Sequence, residues 1–231
     1  IKTFRGTKWG LGGTCVNVGC IPKKLMHNAA LIKEHILNSR DFGWDLDELN
    51  NEEAHEKDTL FKEFEWKTLV RNVQLHIKSI NFEYTSTLKE NGTPYVNNLA
   101  SLLDRNTIVY SANRDYLKEF AQSGSFNGEK LGKLTADYII IATGGRPRLL
   151  TEKECKNGEK YSITSDDIFS LQTPPNKTLV VGGGYIALEC AGFLSTIGYP
   201  VTLMNRTDTF LRGILIINLY NSKVLTLTWL D

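Results

Sequence analysis

Gly12-Gly13-Thr14-Cys15-Val16-Asn17-Val18-Gly19-Cys20-Ile21-Pro22-Lys23-Lys24 sets two cysteines with four residues between them, entered through paired glycines and left through a proline and two lysines. In an unbroken α-helix, residues at this spacing are turned about 140° from each other, with Cα atoms about 8.6 Å apart. A disulfide tolerates a Cα separation of roughly 7 Å at most. If Cys15 and Cys20 are bonded, the segment between them is distorted or non-helical, and Gly19 is the residue that permits it. Pro22 favours the first turn of a helix, so regular helix is expected to begin just after Cys20. A helix N-terminus with Lys23 and Lys24 beside it is an environment that stabilises a thiolate. The stretch therefore reads as a redox-active pair next to a cofactor. A purely structural bridge, or two unrelated buried cysteines, is the plainer alternative.

The run from Trp9 to Cys15, continued through Cys20-Ile21-Pro22-Lys23-Lys24-Leu25-Met26-His27, resembles the redox motif of the pyridine nucleotide-disulfide oxidoreductases. Within them it is most similar to the large thioredoxin reductases and thioredoxin-glutathione reductases. The Lys-Leu-Met-His ending favours that branch over glutathione reductase, which is the alternative.

The bulk numbers agree with a cofactor-binding protein and narrow the other classes. A chain of 231 residues with 41% apolar content suits one or two domains with a sizeable core. With 27 basic against 26 acidic side chains, net charge +1, neither nucleic acid nor an anionic membrane is called for. Four cysteines in a chain this long do not make a disulfide scaffold. Cys155 reads as an incidental surface thiol and Cys190 as a small core residue. No His/Cys cluster has metal-ligand spacing, so no metal is expected. His27, His35, His55 and His76 are scattered, and none is placed as a general base. No stretch approaches the ~18 apolar residues of a membrane helix. Ile1 opens the sequence and no signal-peptide pattern precedes the motif, so the chain is expected to be a piece of a longer product.

Along the chain, residues 1 to 11 read as a lead-in loop containing Arg5, Lys8 and Trp9. Helical periodicity follows from 22 to about 38 and from about 64 to 82, the second with Leu69, Val73, Ile77 and Ile80 on one side. Residues 45 to 58 are acidic and read as a solvated loop. Asn91-Gly92 is a turn signal, and strands are expected at 94 to 103, 107 to 111 and 133 to 142. The last of these opens into Thr143-Gly144-Gly145-Arg146-Pro147, which suits a close approach of backbone N–H groups to a ligand. Residues 151 to 176 are polar and end in Pro174-Pro175, a stiff boundary.

A second nucleotide fold begins there. Thr178-Leu179-Val180-Val181 reads as a buried strand, Gly182-Gly183-Gly184-Tyr185-Ile186-Ala187 as a turn into a helix reaching about Ile197, and 200 to 204 as the next strand. This is the context that the G-x-G-x-x-G/A fingerprint requires: Gly182 for the tight turn, Gly184 for the approach of a pyrophosphate, Ala187 for close helix packing. The second strand ends in Met204-Asn205-Arg206 with no acid, and Arg212 follows, which favours NADPH over NADH. Both arginines have a plain alternative as surface charges.

The resemblance, which covers roughly residues 1 to 213, implies more than the residues alone. It implies a doubly wound α/β fold of two incomplete FAD/NAD(P)-binding Rossmann-like domains. Residues 1 to 150 would be the FAD-binding part, 151 to 176 a linker, 177 to 213 the start of the NADPH-binding part and 214 to 231 a tail outside the family. It implies FAD contacts at Gly13, Thr14, Thr143 and Gly144, and NADPH contacts at Gly182, Gly184, Tyr185, Ala187, Arg206 and Arg212. Cys20 is implied as the thiol nearest the flavin and Cys15 as the interchange thiol. Lys23 and Glu189 match a lysine and glutamate that pair beside the flavin, and Tyr185 an aromatic covering the nicotinamide pocket. An exposed carboxylate and a packed core ring are the plainer readings of Glu189 and Tyr185. The implied activity is NADPH-dependent reduction of thioredoxin, glutathione disulfide or both, by a homodimer in the cytoplasm or the mitochondrion. A catalytically incompetent fragment is the alternative. The family's first flavin fingerprint, later flavin-contacting segment, interface domain and C-terminal thiol tail have no counterpart in these residues.

Overall fold

The computed structural model describes residues 9–44, 64–206, 210–211 and 224–227. The acidic stretch 45 to 58, most of the lead-in with Arg5 and Lys8, and Arg212 lie outside the described residues. The chain forms two compact units, Ile1–Glu83 together with Arg146–Asp231, and Tyr84–Gly145.

The first unit is built on helices around a parallel βαβ element. Helix α1 (Gly13–Val18) is entered through Gly12 and Gly13, with φ of 104° and 61°, in the left-handed region that favours glycine. Helix α2 (Cys20–Leu37) starts one residue beyond the break at Gly19, so regular helix begins at Cys20 itself and Pro22 falls within the first turn. Proline costs nothing there, because first-turn N–H groups have no partner inside the helix. Pro22, Met26 and Ala30, spaced by four, form its buried stripe. A short 3-10 turn follows at Ser39–Phe42.

Helix α3 (Trp66–Glu90) buries Trp66, Val70, Val73 and Ile77. It runs eight residues past the expected end at 82. No glycine or proline interrupts 83 to 90, and the helix stops where Asn91-Gly92 permits it, with Gly92 at φ 64°. The Trp66 indole is fully buried. Its N–H donates to the Leu171 carbonyl at 2.7 Å, and its ring meets Tyr199 edge-on at 5.8 Å.

The polar stretch after residue 150 contains two single-turn helices, α5 (Gly158–Tyr161) and α6 (Ser165–Ile168), the latter opened by a capping box between Thr164 and Asp167. Strand β4 (Thr178–Val181), helix α7 (Tyr185–Ile197) and strand β5 (Val201–Met204) follow in the predicted order, but β4 is not the buried strand expected, since Leu179 and Val181 are 56% and 48% exposed. β4 and β5 are parallel, Thr178 facing Val201 and Val181 facing Met204. Strand β6 (Val224–Leu227), in the stretch 214 to 231 expected to be a tail outside the family, pairs antiparallel with β5, giving the order β4-β5-β6. Helix α2 packs against α7, and Met26, Ala30, Trp66, Phe193, Leu194 and Leu203 share one core.

The second unit is a three-stranded antiparallel sheet, β1 (Leu99–Asp104), β2 (Thr107–Ser111) and β3 (Gly132–Thr135), with one helix, α4 (Arg114–Ser123). Its core is Val109, Leu117, Phe120 and Leu131. Helix α4 has no counterpart among the sequence expectations, yet its signals are present. The Asn113 side chain accepts from the Asp115 N–H at 2.9 Å, and Gly124 closes the helix at φ 67°.

The expected strand at 133 to 142 is shortened to Gly132–Thr135. Beyond it the Asn106 amide donates to the carbonyls of Ala136 and Asp137, ending the ladder, and residues 136 to 145 form no strand. Ile140 is 90% exposed. An apolar strand needs a neighbour for its backbone groups and its faces, and among the described residues none pairs with it.

Candidate functional site

The site lies in the first unit, where α1, α2, α6 and α7 converge on a cavity of about 250 Å³. Cys15, Cys20 and Lys23 line it from the motif, Ser165 from α6 and Phe169 just after it, and Tyr185, Glu189 and Cys190 from α7. The α1–α2 break forms because position 19 has no room for a side chain. A Cβ there would stand 2.8 Å from the Thr14 carbonyl oxygen and 3.1 Å from Cys15 Cα. Glycine thus lets the chain turn between the two helices with the cysteines on either side.

Both cysteines are free and exposed. A hydrogen bond to Cys20 raises the Cys15 thiol pKa above its ordinary 9.0. Burial and Coulomb repulsion from Cys20 add to it, while the backbone N–H groups of Cys20 and Ile21 pull the other way. Cys20 itself opens α2, as the sequence places it, with Cys15 across the Gly19 break in α1.

Lys23 and Glu189 are 166 positions apart and joined at 2.5 Å, with side chains 28% and 31% exposed. The bond to Glu189 raises the Lys23 pKa above 10.5, so the ammonium persists through neutral pH. Beside them, burial first and the Glu189 charge second push the Cys190 thiol up to about 12. Cys190 therefore lines the same cavity as a neutral, unreactive group, while Cys155 is exposed as expected.

The sequence reading missed the clamp that holds α6 against this cavity. Asp166, buried, takes an ion pair from Arg146 at 2.7 Å, and the Arg146 guanidinium lies 3.9 Å over the Trp9 ring. Nothing local in the sequence links residues 9, 146 and 166.

The glycine turn between β4 and α7 has the expected form. Gly182 sits at φ 144°, and a Cβ on it would reach the Ala187 methyl at 3.5 Å, so the two residues set the strand-to-helix approach. Gly184 caps α7 with open space before it and no side-chain cap bond. Gly183, given no role by the fingerprint, has the least room: a Cβ there would stand 2.4 Å from the buried Asn205 side chain. Arg206 is exposed just beyond β5. Thr143 and Gly144 are exposed in the second unit, Gly144 at φ 70°. Among the described residues no cluster of three His, Cys, Asp or Glu side chains forms a metal site, and no helix is long and apolar enough to cross a membrane.

The sequence profile described as pyridine nucleotide-disulphide oxidoreductase matches residues 4–215. The chain belongs to the pyridine nucleotide-disulphide oxidoreductases. It is 45% identical over 202 residues to thioredoxin reductase SEP1 of Emiliania huxleyi, covering 87% of this chain and 35% of that protein. To a thioredoxin reductase of Plasmodium falciparum (isolate FCH-5) it is 45% identical over 210 residues, 90% of this chain and 34% of the relative. Mitochondrial thioredoxin reductase 2 of Drosophila melanogaster is 42% identical over 208 residues, 90% and 35% of the two chains. The chain thus spans about a third of the length of these relatives.

Membership of the pyridine nucleotide-disulphide oxidoreductases implies a Rossmann-like fold and binding of flavin and pyridine nucleotide, and the residues present fit both in part. The parallel β4–α7–β5 unit, with an uncapped helix N-terminus behind an open Gly184, suits a dinucleotide phosphate. The cavity, apolar at Val18, Phe169 and Ile186 with one ion pair in its wall, suits the edge of an aromatic ring system. Its volume falls below the ~300 Å³ lower bound of typical small-molecule sites, so it accommodates part of such a cofactor rather than the whole.

Proposed function

We propose that the chain carries the redox centre of an NADPH-dependent flavoprotein disulfide reductase of the thioredoxin reductase branch. The observation behind this reading is the meeting in one cavity of Cys15 and Cys20 with Lys23, Glu189 and Tyr185, residues drawn from opposite ends of the sequence. FAD, when bound, relays two electrons from the nicotinamide to the disulfide.

The chain's own residues then act as follows. The Cys15 thiolate attacks one sulfur of the substrate disulfide, and the displaced substrate thiolate takes up a proton. The Cys20 thiolate attacks the Cys15 sulfur, restoring the Cys15–Cys20 disulfide and displacing the second substrate thiolate, which takes up a proton in turn; the substrate leaves as a dithiol, or as two thiols where it is glutathione disulfide. Lys23, held by Glu189, keeps a fixed positive charge beside this exchange. Gly13, Thr14, Thr143 and Gly144 approach the flavin. Gly182, Gly184 and Ala187 receive the NADPH pyrophosphate, Tyr185 covers the nicotinamide pocket, and Arg206 and Arg212 take the 2′-phosphate. Thioredoxin, glutathione disulfide or both are the substrates. The complete protein is a homodimer of doubly wound domains in the cytoplasm or mitochondrion, residues 1 to 150 and 177 to 213 contributing to its FAD and NADPH parts on either side of the linker 151 to 176.

Two experiments test this. The purified chain is incubated with FAD and desalted; a retained visible flavin band supports the reading, and its absence places flavin binding outside this chain. In the longer protein, Arg206→Ala is expected to raise the KM for NADPH at least tenfold more than that for NADH. Equal effects on the two would refute the NADPH assignment.

A further inference from the structure

The loop that delivers Cys15 brings three carbonyl groups together, and a pair of asparagines answers them. The left-handed Gly12 and Gly13 turn the chain so that the carbonyls of Gly10, Leu11 and Gly13 converge. The buried Asn17 amide, two residues beyond Cys15, donates to them at 3.1, 3.3 and 2.8 Å. Converging carbonyls repel unless a donor lies between them, so this amide holds the turn closed. From α3, Asn81 donates to the Leu11 carbonyl at 2.6 Å and to the Asn17 amide oxygen at 3.2 Å, which fixes the orientation of the Asn17 group. The contact is close enough to exclude a side chain at Gly10, where a Cβ would stand 2.3 Å from Asn81 Cγ.

This network holds one cysteine and not the other. Cys15 lies in α1, tied through Asn17 to α3, and Cys20 begins α2, which packs on both α1 and α7. The relative position of the two sulfurs is then set where α1 meets α2, and the asparagine pair acts on the α1 side. We propose that Asn81 is a positioning residue for the redox pair: through Asn17 it holds Cys15 against Cys20 and so sets the thiol–disulfide equilibrium. This rests on the reading of Cys15 and Cys20 as a redox couple. A dithiol held close together forms its disulfide readily, and one allowed to separate does so less readily.

The test is a redox titration of the full chain in buffers of reduced and oxidised dithiothreitol. In the reaction the protein dithiol gives two electrons and two protons to the oxidised reagent, forming the Cys15–Cys20 disulfide and reduced dithiothreitol. The fraction oxidised is read by alkylating the remaining thiols and weighing the peptides. Asn81→Ala is expected to lower the equilibrium constant for disulfide formation about tenfold, a shift of about 30 mV for this two-electron couple. It is also expected to move the pH midpoint of Cys15 alkylation down toward the ordinary thiol value, as the bond to Cys20 is lost. Asn81→Asp keeps the shape, removes both donated bonds and is expected to act in the same direction, which preserves the test if the alanine variant does not fold.

Gln74→Ala removes another α3 hydrogen bond, to the Phe169 carbonyl at 2.8 Å, without touching the Cys15 loop, and is expected to leave the midpoint in place. An unchanged midpoint in both Asn81 variants, or an equal shift in Gln74→Ala, overturns the proposal while leaving the redox reading intact. A wild-type chain that forms no Cys15–Cys20 disulfide at any ratio overturns the redox reading and the proposal with it.

Discussion

Replacing Gly19 by alanine tests whether the break between α1 and α2 exists to bring the two thiols together. The new methyl would stand 2.8 Å from the Thr14 carbonyl oxygen and 3.1 Å from Cys15 Cα, both backbone atoms, so no side-chain rotation relieves it. Unstrained contacts between heavy atoms lie near 3.5–4.0 Å, so the Thr14–Cys15 segment has to retreat by about 0.5 Å or more. Overpacking of this kind costs about 1–3 kcal/mol. The retreat carries Cys15 away from the start of α2, so the disulfide form bears more of that cost than the dithiol.

If about 1.4 kcal/mol of it is specific to the disulfide, the equilibrium constant for forming the bond falls about tenfold, or about 30 mV. Urea unfolding followed by tryptophan fluorescence gives the first quantity, and a dithiothreitol titration read by thiol alkylation gives the second. Gly192→Ala is the control. It lies inside α7 with no atom within 4 Å of the added methyl, and is expected to stabilise the chain by about 0.4–1 kcal/mol without moving the redox midpoint. A Gly19→Ala chain with wild-type stability and a wild-type midpoint would refute the reasoning.

Native alkylation with iodoacetamide at pH 8 is expected to label the exposed Cys155 and spare Cys190, whose thiol is pushed up to about 12; Cys190 should react only after unfolding. Because the Cys15 pKa is raised, its thiolate forms late, and the midpoint of its rate profile is expected above pH 9.0. Lys23→Met should destabilise the chain by about 1 kcal/mol at most, since the pair is partly solvated. The folded Lys23 pKa is raised above 10.5, so this contribution is complete below the unfolded value of ~10.4 and is lost as pH rises through the folded one. Urea midpoints of wild type and variant should therefore differ by a constant amount from pH 7 to 10 and converge above it. Trp66→Phe leaves the Leu171 carbonyl without its donor and is expected to cost about 1–3 kcal/mol, read as a lower urea midpoint.

Much of the fold was legible where local rules act alone. The α1–α2 break at Gly19, the apolar stripes of α2 and α3 and the β4–α7–β5 order each follow from spacing and turn chemistry within about twenty residues. The reading fell short where a neighbour distant in sequence decides the outcome. The apolar run at 137 to 142 has the composition of a buried strand, but strand formation needs a partner. Helix α4 carried capping signals at Asn113 and Gly124, although no helix was expected there. β6 lies in a stretch without a usable period and exists by pairing with β5.

By itself, the sequence determined the family and the chemistry of the motif, because glycine, proline and cysteine at fixed offsets constrain the backbone whatever surrounds them. Only the tertiary structure decided which charges and amides act on that motif. The Lys23–Glu189 bond, the Arg146–Asp166 pair over Trp9 and the Asn17–Asn81 network join residues between 20 and 166 positions apart. Such pairings depend on how α2, α3, α6 and α7 pack around one core, and no local pattern of residue types encodes that packing.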